Sequence, residues 1–185
     1  MKILVTTILA SAAFAATAGA APFALKSTDF KPYGTLSDKQ AFNSFGCTGE
    51  NVSPELEWSN PPAGTKSFAL MVHDPDAPTG SGWWHWVVYN IPADAKSLPA
   101  GAGTADGKHL PAGAVQGNTD FGTPGYGGPC PPAGSGKHHY EFTLFALKVD
   151  KLDLPKNATA AFVGFNVQGN AIGKAKLTGM YGRKK

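Results

Sequence analysis

Apolar and polar positions along the chain alternate mostly with the two-residue period of β-strands, and only one stretch carries the wider spacing of a helix. Phe68 to Val72 (FALMV) is a short, almost continuous apolar run, as expected of a strand covered on both faces. Residues 139–147, HYEFTLFAL, alternate cleanly: Tyr140, Phe142, Leu144 and Ala146 are apolar, while His139, Glu141 and Thr143 are polar. By that parity His138 points with Tyr140 toward the core, and His139 points away. Phe23 to Phe30 predicts an opening strand, Leu56 to Trp58 a short one, and Lys176 to Tyr181 a closing one. From Trp83 another strand begins, and strict alternation would place Trp83, His85, Val87 and Tyr89 on one face and Trp84, Trp86 and Val88 on the other. Helical spacing is confined to the segment after Asn157. Asn157 is its predicted cap, Ala160, Ala161, Phe162 and Phe165 its apolar face, and Gly169 its end.

Between these elements lie 23 glycines and 15 prolines, spread throughout rather than gathered in a linker. Short strands between turn clusters predict an all-β fold with few helices. Ile91 to Pro124 has no period and is assigned as a long irregular segment of functional or scaffolding role.

The first twenty residues stand apart. Lys2, the apolar run from Ile3 to Ala16 and the small-residue site Ala18-Gly19-Ala20 describe a secretory signal peptide cut after Ala20, with residues 21–185 as one exported domain. The run is too short for a membrane span, and no later stretch is long enough. The formal net charge is only +3, part of it from Lys2, and Arg183 is the one arginine. With no basic stripe, nucleic acid is not expected as a partner, and Arg183-Lys184-Lys185 is expected to be a solvated tail. An even pair of cysteines in an exported chain, Cys47 and Cys130, favours a disulfide, with two buried thiols as the alternative. Neither shows CxxC redox spacing or a histidine at zinc-ligand spacing, so no metal or cofactor is expected.

Candidate chemistry concentrates in two loops. Asp74 to Asn90 (DPDAPTGSGWWHWVVYN) sets two carboxylates in a Pro/Gly loop just ahead of Trp83 and His85. Gly125 to Tyr140 (GYGGPCPPAGSGKHHY) sets a glycine-proline loop ahead of His138. The second is not a phosphate-binding P-loop, because Lys137 is followed by His138 rather than Ser or Thr. Taken one at a time, a buried histidine or aspartate at a strand end is most simply a satisfied structural residue. His73 and His109 are read that way.

Together, DPDAP with GxGWWHW and then GPCPPxGxxKHHYEF resemble the phosphatidylethanolamine-binding family, also called Raf-kinase-inhibitor-like proteins, in its bacterial YbhB/YbcL branch. The resemblance runs from Asn51-Val52-Ser53-Pro54 through Ala161-Phe162-Val163-Gly164-Phe165-Asn166-Val167. It implies two packed antiparallel sheets and a small anion pocket at one end. Matched residue by residue, the pocket would use Asp74, Asp76, Trp83, His85, the backbone around Gly128 and Pro131, and His138 with Tyr140. It also implies a cis Ala77-Pro78 bond. Cys130 departs from the family pattern, since many relatives carry a small residue there. The expected function is a non-enzymatic, periplasmic or secreted binding protein for a small anionic or phosphorylated ligand. An inhibitor or modulator of a protein partner is the alternative, and a hydrolase using Asp74 or Asp76 with His85 ranks below both.

Overall fold

A computed structural model of the protein describes residues 21–185, and the assigned signal peptide lies outside them. Eight strands and one helix follow in the order β1 (Ala24–Lys26), β2 (Leu56–Ser59), β3 (Ser67–Asp74), β4 (Trp83–Pro92), β5 (Ser97–Leu98), β6 (Val115–Gln116), β7 (Lys137–Leu147), α1 (Ala160–Asn170) and β8 (Ala171–Gly182). They build a three-stranded sheet, β1-β2-β5, and a five-stranded sheet, β6-β4-β3-β7-β8, with every pairing antiparallel. Among the described residues the fold is mostly β, with a single short helix near the C-terminus, as the turn-punctuated pattern predicts.

β3 lies at the centre of the larger sheet. Its Phe68, Leu70 and Val72 face the small sheet, packing with Leu56, Trp58 and Leu98, whereas Ala69 and Met71 face α1. Both faces are covered, which is why its sequence is a continuous apolar run rather than an alternation. β7 follows its predicted parity: Tyr140, Phe142, Leu144 and Ala146 enter the core between the sheets.

Alternation fails in β4, at two irregularities. The ladder runs Val72↔Trp86 and then His73↔Trp84, so His85 has no partner and forms a bulge. Trp83, His85 and Trp86 therefore lie on the inter-sheet side, while Trp84 turns outward and stacks on His73 with ring centroids 4.2 Å apart. The strict division, which groups Trp84 with Trp86 and His85 with Val87, is thus corrected. The second irregularity lies opposite Ala69, where Asn90 takes φ 57°. Its amide donates to Leu152 O and accepts from Leu152 N, offsetting the cost of that backbone.

Four further expectations are corrected. The opening strand is only Ala24–Lys26, because Ser27 and Thr28 turn to hydrogen-bond Glu55 instead of continuing the ladder. α1 is capped by Thr159, whose hydroxyl accepts from Phe162 N, and runs to Asn170 before the chain extends into β8. Its buried row is Ala160, Val163 and Val167, so Phe162 and Phe165 lie off the packed stripe at 47% and 78% exposure. All peptide bonds among the described residues are trans, Ala77-Pro78 included. No helix among the described residues is long and apolar enough to cross a membrane.

Candidate functional site

The end of β3, the start of β4 and the start of β7 meet at one end of the large sheet, closed by the loops that precede β4 and β7. They enclose a cavity of about 180 Å³. Asp74 and Trp83 are cross-strand partners, and the bulge turns His85 to the same side as both. Without it, alternation would send His85 toward α1 with Val87.

Each polar group in the cavity has a determinable role. His85 is buried, and its Nδ1 stands 2.6 Å from Gly127 O. A carbonyl oxygen only accepts, so Nδ1 carries the proton and Nε2 is left with its lone pair. Burial pushes this imidazole down to about 4, the bond to Gly127 only partly opposing it, so His85 is neutral at pH 7. Asp74 is also buried. Its Oδ1 accepts from the Asp76 amide at 2.9 Å and its Oδ2 stands 2.8 Å from His138 Nδ1. The other nitrogen of His138 meets Ser135 Oγ at 3.0 Å, so both ring nitrogens of His138 have protein partners.

Tyr140 is the exception. Its hydroxyl is buried without a hydrogen-bond partner among the described residues, while its ring meets the edge of His85 at 5.1 Å. Burial raises its phenol far above the ordinary range, and the nearby Asp74 charge raises it further, although no hydrogen bond of normal geometry joins the two.

The walls are aromatic and proline-rich. Trp83 and His85 both take the Phe121 ring edge-on, at 5.5 and 5.4 Å. Phe121 also packs on Phe42 and Phe45, and Phe45 reaches the cavity rim. Cys47 and Cys130 are joined in a disulfide with Cα atoms 6.0 Å apart, tying the Phe45 loop to the rim that Cys130 lines. Arg183 reinforces the tie, donating to Pro131 O at 2.7 Å and to Gly46 O at 2.9 Å. It is therefore a staple between two loops rather than part of a solvated tail. Among the described residues, no lysine or arginine lines the cavity.

Of the residues assigned from sequence, Asp74, Trp83, His85, Pro131, His138 and Tyr140 converge on this cavity. Asp76 and Gly128 do not. Asp76 turns outward, where its carboxylate accepts from the His139 amide and pairs with the His139 ring at 2.7 Å, both side chains being about two-fifths exposed (41% and 43%). Burial alone would raise its pKa, but the bonds from His139 outweigh that and lower it. Gly128 presses against the backbone of residues 40–42, and its amide donates to Asn51 Oδ1 at 2.7 Å, so it offers no donor to a ligand. Phe121, Phe45 and Ser135 went unassigned. The first two lie in stretches without periodicity, whereas the hydroxyl of Ser135, three residues before His138, was a signal available in the sequence.

A larger cleft of about 430 Å³ lies on the other side of Phe121 and shares that ring as a wall. It holds one carboxylate, Glu50, and no histidine, so the convergent polar chemistry belongs to the smaller cavity. Among the described residues no three His, Cys, Asp or Glu side chains are grouped to hold a metal ion.

The family model described as phosphatidylethanolamine-binding protein matches residues 26–182. UPF0098 protein YbcL of Escherichia coli K12 is 50% identical over 179 residues, covering 97% of each chain. The crystal structure of E. coli YbcL superposes with a TM-score of 0.87 at 51% identity, covering 89% of this chain and all of that one. Among more distant relatives, the protein named putative lipoprotein LppC of Mycobacterium tuberculosis H37Rv is 44% identical over 137 residues, covering 74% of this chain and 63% of its own length.

Proposed function

This chain belongs to the phosphatidylethanolamine-binding protein family, and from that premise we propose that it is an exported binding protein whose cavity receives a small phosphate-type or other anionic group. The observation that carries this reading is the Tyr140 hydroxyl, a buried donor in the cavity wall that makes no hydrogen bond of normal geometry among the described residues. Such a group costs about 1–3 kcal/mol unless something completes it, and a ligand oxygen would do so. His85 Nε2 adds an acceptor from β4, on the far side of β3, suited to a ligand that still carries a proton.

The charge pattern narrows the ligand. Asp74 is held by His138, His85 is neutral, and no lysine or arginine faces the cavity, so a singly charged group is favoured over a dianion. At about 180 Å³ the cavity admits a head group and not a whole lipid. The disulfide and the name of the LppC relative support export.

The test is calorimetric titration of inorganic phosphate and of phosphoethanolamine into the wild type, Y140F and the double variant H85A/H138A. The expected result is binding weakened several-fold by Y140F and abolished by the double variant. Equal affinity in all three proteins overturns the pocket reading.

A further inference from the structure

Ser135, His138 and Asp74 form a continuous relay: Ser135 Oγ lies 3.0 Å from His138 Nε2, and His138 Nδ1 lies 2.8 Å from Asp74 Oδ2. Asp74 and His138 are buried, while Ser135 sits on an exposed turn. We propose that this relay gives the protein an acyl-transfer activity toward small esters, with Ser135 as nucleophile, His138 as general base and Asp74 as the positioning residue. The proposal goes beyond ligand binding and departs from the expectation of a protein without catalysis.

The tautomer follows from the partners. A carboxylate only accepts, so the proton of neutral His138 sits on Nδ1 and the Nε2 lone pair faces the serine. The hydroxyl has one proton and two acceptors, Pro132 O at 2.9 Å and His138 Nε2 at 3.0 Å. Turning the O–H bond from the first to the second moves no heavy atom.

Position supplies the substrate class. Pro132 and His138, the two residues that Ser135 touches, both line the aromatic cavity, although Ser135 itself does not. The serine therefore stands at its mouth, where an ester would present its carbonyl with the acyl group inward. Walls of Trp83 and Phe121 suit an apolar acyl group, and the small volume limits it to a few carbons.

Oγ attacks the carbonyl carbon and its proton passes to Nε2. The bond from that carbon to the alkoxy oxygen then breaks, and the leaving alkoxide takes the proton as an alcohol. Water attacks the acyl-serine, giving a proton to Nε2. The Oγ–acyl bond then breaks, the carboxylic acid departs and the proton returns to Ser135.

The experiment uses the full exported domain with two probes: a fluorophosphonate, whose adduct is located by peptide mass spectrometry, and p-nitrophenyl acetate, followed by p-nitrophenolate release. The expected result is one adduct on Ser135, absent in S135A, with release slowed about 100-fold or more in S135A and in H138Q. D74N is expected to slow labelling, and D74E, which keeps the carboxylate, to restore part of the rate, a rescue that a merely structural role for Asp74 would not show. Calorimetric binding of phosphate by the wild type with no adduct on Ser135 would overturn the relay and leave the pocket standing, so the two readings fail separately. No adduct, an adduct on another residue, or release by S135A at the wild-type rate overturns the proposal.

Discussion

His85 donates its Nδ1 proton to the carbonyl of Gly127 at 2.6 Å, and Gly127 returns its amide to the carbonyl of His85 at 2.8 Å. This reciprocal pair binds the bulge of β4 to the loop that leads to β7. It joins the two candidate loops of the sequence into one cavity.

The first prediction concerns acid. His85 sits at about 4 in the fold against 6.5 unfolded, so the unfolded chain takes up the proton first as pH falls. The stability contribution is complete above 6.5 and is lost as pH falls toward 4, amounting to roughly 3 kcal/mol. Denaturant unfolding at pH 4.5 and 7 should show this loss in the wild type and a clearly smaller one in H85Q. Because His85 does not charge between pH 5 and 8, ligand affinity over that range should not follow this imidazole.

Tyr140→Phe is expected to separate stability from function. It removes a buried hydroxyl that has no partner, so the variant should be at least as stable as the wild type in thermal unfolding. Phosphate affinity should fall by a factor of about 5–10, the worth of one hydrogen bond.

Asp74 and Asp76 should behave oppositely despite lying two residues apart. D76A breaks only the outward contacts with His139 and should leave phosphate affinity unchanged in calorimetry. D74N, which removes the carboxylate holding His138, should weaken binding.

Gly127→Ala tests the Phe121 wall. An added Cβ would run into the Phe121 ring, so the variant should lose about 1–3 kcal/mol of stability. Its pocket should bind phosphate more weakly, because the displaced ring is one of the walls.

Removing the cross-link with C47A/C130A should cost about 2–4 kcal/mol in denaturant unfolding, since the bridge spans a sequence separation of 83. Partial retention of ligand affinity is expected, because Arg183 still holds Pro131 and Gly46.

Much of the site was legible because strands convert sequence into direction. The alternation of residues 139–147 placed His138 and Tyr140 inward and His139 outward, as found. The same rule grouped Trp84 with Trp86 and failed, since a bulge adds one residue to the count and composition does not announce it. Asp76 was grouped with Asp74 by motif and shares its parity, but it lies in the turn beyond the end of β3, where strand alternation no longer sets direction, and the neighbouring strand supplied His139 as its partner. The helix was found but its face was not. The phenylalanines look like its core, yet the crossing over Met71 selects the row Ala160, Val163 and Val167.

The chain by itself determined the β-rich architecture, the cysteine pair and the two loops that carry the chemistry. Local spacing and turn residues suffice for these, because strand period and backbone restriction act within a few residues. The tertiary structure decided which groups remain free for a ligand. Asn51 consumes the Gly128 amide, Gly127 fixes the His85 tautomer, Ser135 occupies His138 Nε2, and Phe121 enters from an aperiodic segment as a wall. The physical reason is that hydrogen-bond capacity is spent on whichever partner folding brings within about 3 Å, and all of those partners except Ser135 are far apart in the sequence.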